Sequence, residues 1–242
     1  MTGETRIDEV GDGIYRISTY LFDFVTFNQY LVRAEEPLLF HCGMRAILPQ
    51  VSRAAAGVVA PEDLRWVTFG HLEADESGSM NEWLELAPVA QVAHGAMGCI
   101  TSLNDLCIRE PRLLDDGEVI DIGGHRMRHI DTPHVPHSWD ARVLFDESTR
   151  TLFSGNLFSQ AGDDEPIRTG DLVGPAIEYE HRLPFSSLGP TTVPTIRRLA
   201  ALEPTTICLM HGSVFTGDGA AMLNGLADFY AARIAEVAAA QG

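Results

Sequence analysis

Several things this chain of 242 residues lacks bound what it can be. No apolar run approaches the ~20 residues that a bilayer-crossing helix needs, so no membrane partner is expected. The acidic start Met1-Thr2-Gly3-Glu4 lacks the basic and apolar regions of a secretory signal, which predicts a cytoplasmic protein. Positive charge is scarce, 17 Lys and Arg against 34 Asp and Glu for a net charge of −17. Such a surface repels nucleic acid and anionic lipid, and neither is expected as a partner. The four cysteines, Cys42, Cys99, Cys107 and Cys208, form no Cys-x-x-Cys pair, which excludes a thiolate metal cage and leaves small buried residues in a reducing compartment. No Gly-x-Gly-x-x-Gly follows a strand, and neither Ser138 nor Ser154 sits in a Gly-x-Ser-x-Gly elbow. With no linker or repeat, and with 45% hydrophobic and 21% charged residues, the chain reads as one domain over 1–242.

What is present begins with His71-Leu72-Glu73-Ala74-Asp75, directly after the apolar run Trp66-Val67-Thr68-Phe69. In an extended or turning segment, residues two apart point the same way, so one imidazole and two carboxylates can converge on a small volume. Groups crowded in this way repel unless a cation lies between them. Isolated histidines recur at other strand ends beside Gly, Pro and Ser: in Asp131-Thr132-Pro133-His134-Val135-Pro136-His137-Ser138, and in Leu209-Met210-His211-Gly212. Thr151-Leu152-Phe153-Ser154-Gly155-Asn156 ends a further strand.

With these motifs the sequence resembles the metallo-β-lactamase superfamily. His-x-Glu-x-Asp at 71–75, in place of the hydrolases' His-x-His-x-Asp-His, is similar to the oxygen-binding di-iron, or flavodiiron, branch. His137-Ser138-Trp139-Asp140 through Leu152-Phe153-Ser154-Gly155-Asn156 resembles the flavodiiron segment from its His-x-x-Asp to its Leu-Phe-Ser-x-Asp. The 19 residues from 137 to 156 favour His137 over His134 as the ligand. The resemblance implies metal ligation by His71, Glu73, Asp75, His137 and His211; Glu76 and Asn156, at two further ligand positions of the pattern, complete the candidate metal set, with Asp75 and Glu76 as catalytic candidates.

Three positions depart from the family pattern. Glu76 stands where a second-site His is usual, Asn156 where a bridging Asp is usual, and His41 where a structural Asp is usual. A neutral amide offers one weak carbonyl donor and no charge. Two arrangements remain open: Glu76 as a second-metal ligand restoring the charge missing at Asn156, or a mononuclear set of His71, Glu73 and His137 of the kind used by non-haem Fe(II). Imidazoles and carboxylates without thiolate suit iron, two ions or one, with manganese or zinc as alternatives.

Apolar patterning and turn residues predict strands at Gly13–Ser18, Gln29–Arg33, Leu38–Phe40, Val89–Ala93, Glu118–Ile122, His125–Ile130, Val143–Phe145, Thr151–Phe153 and Thr206–Met210. Helices are predicted at Ile47–Ala56, Ser79–Leu86 behind a capping box, Met97–Leu106, Thr192–Leu202 and Ala220–Ala238, the last with a stripe of Leu223, Leu226, Tyr230, Ile234 and Val237. Strands in two blocks, each finished by helices, suit an α+β four-layer αββα sandwich, the metallo-β-lactamase fold. Gln160 to Pro190 is irregular and is expected to cover the pocket with Phe158, Tyr179 and Phe185. His125 and His129 read as surface residues, His134 as a donor orienting His137, and His94 as a candidate pocket residue.

The resemblance implies a non-haem iron protein that binds, reduces or activates dioxygen. No flavin domain is expected within the chain, so electrons would come from a separate flavoprotein or rubredoxin. Similar proteins commonly form homodimers. The alternative is a metal-dependent hydrolase of an ester, amide or phosphoester, with Asp75 orienting the attacking water. A third reading is a relative that has lost its site.

Overall fold

A computed structural model of the chain describes residues 3–241. Met1, Thr2 and Gly242, which belong to the expected single domain and signal-free start, lie outside those residues. The N-terminal half builds a seven-stranded sheet in the order β1 (Thr5–Gly11), β2 (Ile14–Leu21), β3 (Val25–Val32), β4 (Leu38–Phe40), β5 (Trp66–Thr68), β6 (Gln91–Gly95) and β7 (Arg112–Leu114). β1 to β4 pair antiparallel through short turns, and β4 to β7 pair parallel. The crossovers are α1 (Leu48–Ala56), α2 (Ala74–Ser77) with α3 (Met80–Leu86), and α4 (Ala96–Gly98) running through a π turn into α5 (Asn104–Leu106).

The second sheet contains β8 (Val119–Asp121), β9 (Arg126–Asp131), β10 (Arg142–Asp146), β11 (Thr151–Phe153), β12 (Ile167–Arg168), β13 (Thr206–Cys208) and β14 (Val214–Thr216). Its order is β12-β14-β13-β11-β10-β9-β8. Over its outer face lie α6 (Val173–Arg182), α7 (Thr192–Ala200) and α8 (Gly219–Gln241).

Three apolar clusters account for four layers. The first packs α1 and α3 on the outer face of the first sheet, the second packs α6 to α8 on the second sheet, and the third fills the space between the sheets. β3 shows how one strand serves two of them, because alternate side chains point to opposite faces. Tyr30 and Val32 enter the inter-sheet cluster, while Phe27 and Leu31 enter the outer one, so all eight positions are buried. The αββα sandwich is therefore the observed architecture. Among the described residues no helix is long and apolar enough to cross a membrane.

Several local expectations change. Ser79 precedes α3 but makes no side-chain cap; its hydroxyl donates to the buried Cys42 carbonyl at 2.7 Å, which the Trp83 indole N–H also reaches at 3.0 Å. On α8 the stripe is buried only as far as Tyr230, and Val237 is 40% exposed because the last turns extend past the sheet. β1 and α6 escape the pattern, β1 because it alternates polar residues on a half-buried edge, α6 because Gly174 and Pro175 sit in its first turn. The Gly123-Gly124 turn stands, with φ of +79° and +103° that glycine alone adopts freely.

His125 and His129 are not surface residues. His129 lies on β9 facing inward, and burial first, then the Arg142 charge, pushes its pKa well below the usual value, so it stays neutral. His125 Nδ1 lies 2.7 Å from Asp146 Oδ2. That hydrogen bond raises the His125 pKa against the opposing effect of burial. Asp146 is lowered: burial works against the charge, but bonds from His125, the Thr149 hydroxyl and the Ser148 N–H prevail. The histidine's contribution to stability is complete below its unfolded pKa of about 6.5 and is lost as pH rises through the raised folded value. The aspartate's is complete above its unfolded pKa of about 3.9 and is lost as pH falls through the lowered folded value. His125→Ala should therefore lower the melting temperature most between about pH 4 and 6.5, with the gap from wild type narrowing on both sides, as read by calorimetry across pH.

Candidate metal centre

The loop after β5 carries the first donors. Glu73 is extended, with φ −134° and ψ 154°, and then the chain turns into α2. From that point side chains step round a helix by about 100° per residue instead of alternating, so Asp75 no longer shares the direction of His71 and Glu73, and Glu76 faces another way again. Asp75 turns towards the pocket. Glu76 turns inward, fully buried, with Oε2 accepting from the His71 backbone N–H at 2.7 Å. The same oxygen lies 3.1 Å from His71 Nδ1 and 3.4 Å from His41 Nδ1. Glu76, expected as a second-metal ligand, thus lies behind His71. Gly70 makes room for it, since a Cβ there would stand 2.8 Å from Glu76 Oε2.

With its Nδ1 occupied by Glu76, His71 directs Nε2 outward. That nitrogen lies 2.8 Å from Glu73 Oε2 and 3.1 Å from His137 Nε2, and His137 Nε2 lies 3.5 Å from Glu73 Oε2. Among the described residues this is the one group of three ionisable donors close enough to share an ion. Burial opposes charge on His71, but the Glu76 and Glu73 carboxylates raise its pKa to about 11. Hydrogen bonds to His137 and His71 hold Glu73 far below the usual carboxylate range. The carboxylates thus favour positive charge where two imidazole nitrogens converge, and this donor set fits a divalent cation.

His137 sits in the loop between β9 and β10. Asp140 ties that loop to the first one: its Oδ2 accepts from Leu72 N at 3.0 Å, and its Oδ1 accepts from the Ser138 hydroxyl. His134 is exposed and does not orient His137. Asn156, after β11, places its amide 3.3 Å from His137 Nε2. His94 is fully buried beside Phe69 instead of lining the pocket, and burial followed by the Arg142 charge pushes its pKa down to about 3.

His211 follows β13 and faces the other end of the pocket. Its Nδ1 donates to the Thr26 carbonyl at 2.8 Å, leaving Nε2 3.4 Å from Asp75 Oδ2. Three buried side chains of the first sheet hold its loop. Asn28 donates to the Leu209 and Gly212 carbonyls at 2.9 and 2.8 Å, Tyr30 to Leu209 O at 2.7 Å, and Arg16 to Gly212 O at 3.1 Å. The sequence reading missed these residues and Gly70, and it quoted Asp140 in the His-x-x-Asp motif without giving it a role. Inward polar residues on a strand otherwise buried on both faces were the available signal.

The donors open on a cavity of about 170 Å³, with Glu73, Asp75, His137, Asn156 and His211 on one side. Tyr179, Leu183 and Phe185 form the apolar side. The covering role expected of residues 160–190 falls to α6 and its following turn. Phe185 meets the His137 ring edge-on at 5.6 Å, and Tyr179 stacks on Phe24 at 5.8 Å. Phe158 belongs instead to the outer core.

A profile of the ODP family beta lactamases matches residues 25–212, from β3 to the glycine after His211. The chain belongs to that family. The ODP-family chain is 26% identical over 192 residues to a putative diflavin flavoprotein A 2 of Synechocystis, covering 77% of this chain and 33% of the relative. It is 23% identical over 203 residues to the rubredoxin-oxygen oxidoreductase of Megalodesulfovibrio gigas, covering 79% and 50%. It thus spans a third to a half of the length of these curated relatives. Among solved structures, a mutant of a flavo di-iron protein from Thermotoga maritima superposes with a TM-score of 0.81 at 18% identity, covering 95% of this chain and 63% of that one. A 1–254 fragment of the putative diflavin flavoprotein A 5 from Nostoc gives 0.80 at 16%, covering 96% and 98%. These structures share the metallo-β-lactamase fold with the ODP-family chain.

The grip on the His211 loop can be measured directly. Asn28→Ala removes two donors from buried carbonyls and should cost about 2–3 kcal/mol of unfolding free energy. The urea midpoint should fall with an unchanged slope.

Proposed function

We propose that this chain is a non-haem iron protein that binds or reduces dioxygen, acting as one metallo-β-lactamase-like unit over residues 1–242. The observation that carries the reading is the convergence of His71, Glu73 and His137. Two imidazoles and one carboxylate on one side, with open positions on the other, suit ferrous iron that must also accept a small ligand. Oxygen and nitrogen donors without sulfur also admit manganese or zinc. The names of the relatives, a rubredoxin-oxygen oxidoreductase and diflavin flavoproteins, support the direction.

Iron held by these three side chains supplies the one-electron chemistry that dioxygen requires. The chain's own residues do the rest. Glu76 fixes the His71 ring so that Nε2 faces the pocket. Tyr179, Leu183 and Phe185 wall the pocket with apolar surface, which limits water and suits a small, weakly polar reactant. Asp75 Oδ2 and His211 Nε2, 3.4 Å apart, form a pair that can hold a proton beside it. Electrons for reductive turnover come from a flavoprotein or rubredoxin type of donor, and the setting is a cytoplasmic homodimer.

Oxygen uptake by protein loaded anaerobically with ferrous iron, supplied with electrons by a reduced flavoprotein and rubredoxin, tests this reading. Wild type should consume dioxygen, and His137→Ala should lower the rate by at least about a hundredfold, in the range seen when a positioned catalytic group is removed. A zinc-only protein that hydrolyses esters and takes up no oxygen would point to the hydrolase instead.

A further inference from the structure

We propose that this pocket holds a single metal ion, on His71, Glu73 and His137, and that Asp75 and His211 form a polar subsite for the substrate in place of a second ion. The inference rests on the metal-binding reading above and concerns how the donors divide.

Glu76 is the first ground. Its Oε2 accepts the His71 N–H at 2.7 Å and faces both His71 Nδ1 and His41 Nδ1, at 3.1 and 3.4 Å, with none of its surface exposed. Its backbone is held as well, with the Cys42 N–H donating to the Glu76 carbonyl at 2.6 Å. Moving the carboxylate into the pocket would strip the buried His71 N–H of its acceptor and withdraw the carboxylate that lies against the buried Nδ1 atoms of His71 and His41. A carboxylate seated behind an imidazole acts on the metal through that ring, setting its tautomer and direction. Glu76 is therefore a positioning residue for His71.

The second ground is what remains opposite. Asp75 and His211 supply one carboxylate and one imidazole, which face each other at 3.4 Å. The third neighbour, Asn156, brings a neutral amide and stands 3.3 Å from His137. The amide brings one weak carbonyl donor and no charge, and among the described residues only His71, Glu73 and His137 gather three ionisable donors closely enough, within 3.5 Å of one another, to share an ion. Asp75 Oδ1 and Asn156 Oδ1 are buried without a hydrogen-bond partner beside the cavity. Such atoms suit a ligand that donates hydrogen bonds.

The test is anaerobic equilibrium titration with ferrous iron, repeated with manganese(II), reading ions per chain by native mass spectrometry and affinity by competition with a chelator. One ion per wild-type chain is expected, with His211→Ala still binding one and His137→Ala losing it. Glu76→Gln should keep the stoichiometry at one while weakening affinity about 10- to 100-fold, the effect of removing a carboxylate behind a ligating imidazole. Two ions per wild-type chain, or a lower count in Glu76→Gln, would overturn this inference and leave the metal reading standing. No bound ion in wild type would overturn both. The wild-type count needs no variant to fold, and circular dichroism of each variant separates a lost site from a lost fold.

Discussion

The fully buried carboxylate of Glu76 is the contact on which the metal-facing edge of this protein depends. Two elements meet at it: the turn after β4 through His41, and the loop after β5 through His71. A buried carboxylate is costly unless its oxygens are met by donors, and here one oxygen accepts a backbone N–H and lies 3.1 and 3.4 Å from the Nδ1 atoms of His71 and His41. Meeting them fixes the His71 ring, and the fixed ring points Nε2 at His137 and Glu73. The local backbone follows: position 70 must lack a side chain, and the chain must turn helical after Glu73 for residue 76 to face inward.

A second constraint comes from the sandwich. The His137 and His211 loops belong to the second sheet and the Glu73 loop to the first, so the site spans the edge where the two layers meet. Apolar packing between the sheets holds them together without registering the loops. Polar bonds across the gap do that, from Asn28, Tyr30 and Arg16 to the 209–212 carbonyls and from Leu72 N to the Asp140 carboxylate. Arg16 is fully buried, and burial lowers its pKa; its bonds to Asn28 Oδ1 and Gly212 O partly replace the water it has lost.

Much of this was legible beforehand. The apolar runs ending at Phe69, Phe153 and Met210 marked strands, and a ligand type followed each within a few residues. The family pattern at His71, Glu73 and His137 named the three side chains that converge. What escaped was direction. Period-two alternation put Asp75 on one side with His71 and Glu73, whereas the helical turn that begins after Glu73 carries Asp75 towards His211 and Glu76 behind His71; no local signal announces a four-residue helix after an extended residue. His125 and His129 looked exposed among arginines, yet Arg126 and Arg128 point out to Glu147 while the histidines alternate inward, and pattern alone does not say which face of a polar strand is buried. Arg16 read as an ordinary strand residue and Asn28 fell just before the predicted strand Gln29–Arg33, and the partners of both lie more than 180 residues away.

The most direct measurement is anomalous diffraction at the iron edge from crystals of iron-loaded protein. The account predicts one strong peak bonded to His71 Nε2, a Glu73 oxygen and His137 Nε2, with Glu76 still behind His71. A peak between Asp75 and His211, or Glu76 swung into the pocket onto a metal, would contradict it.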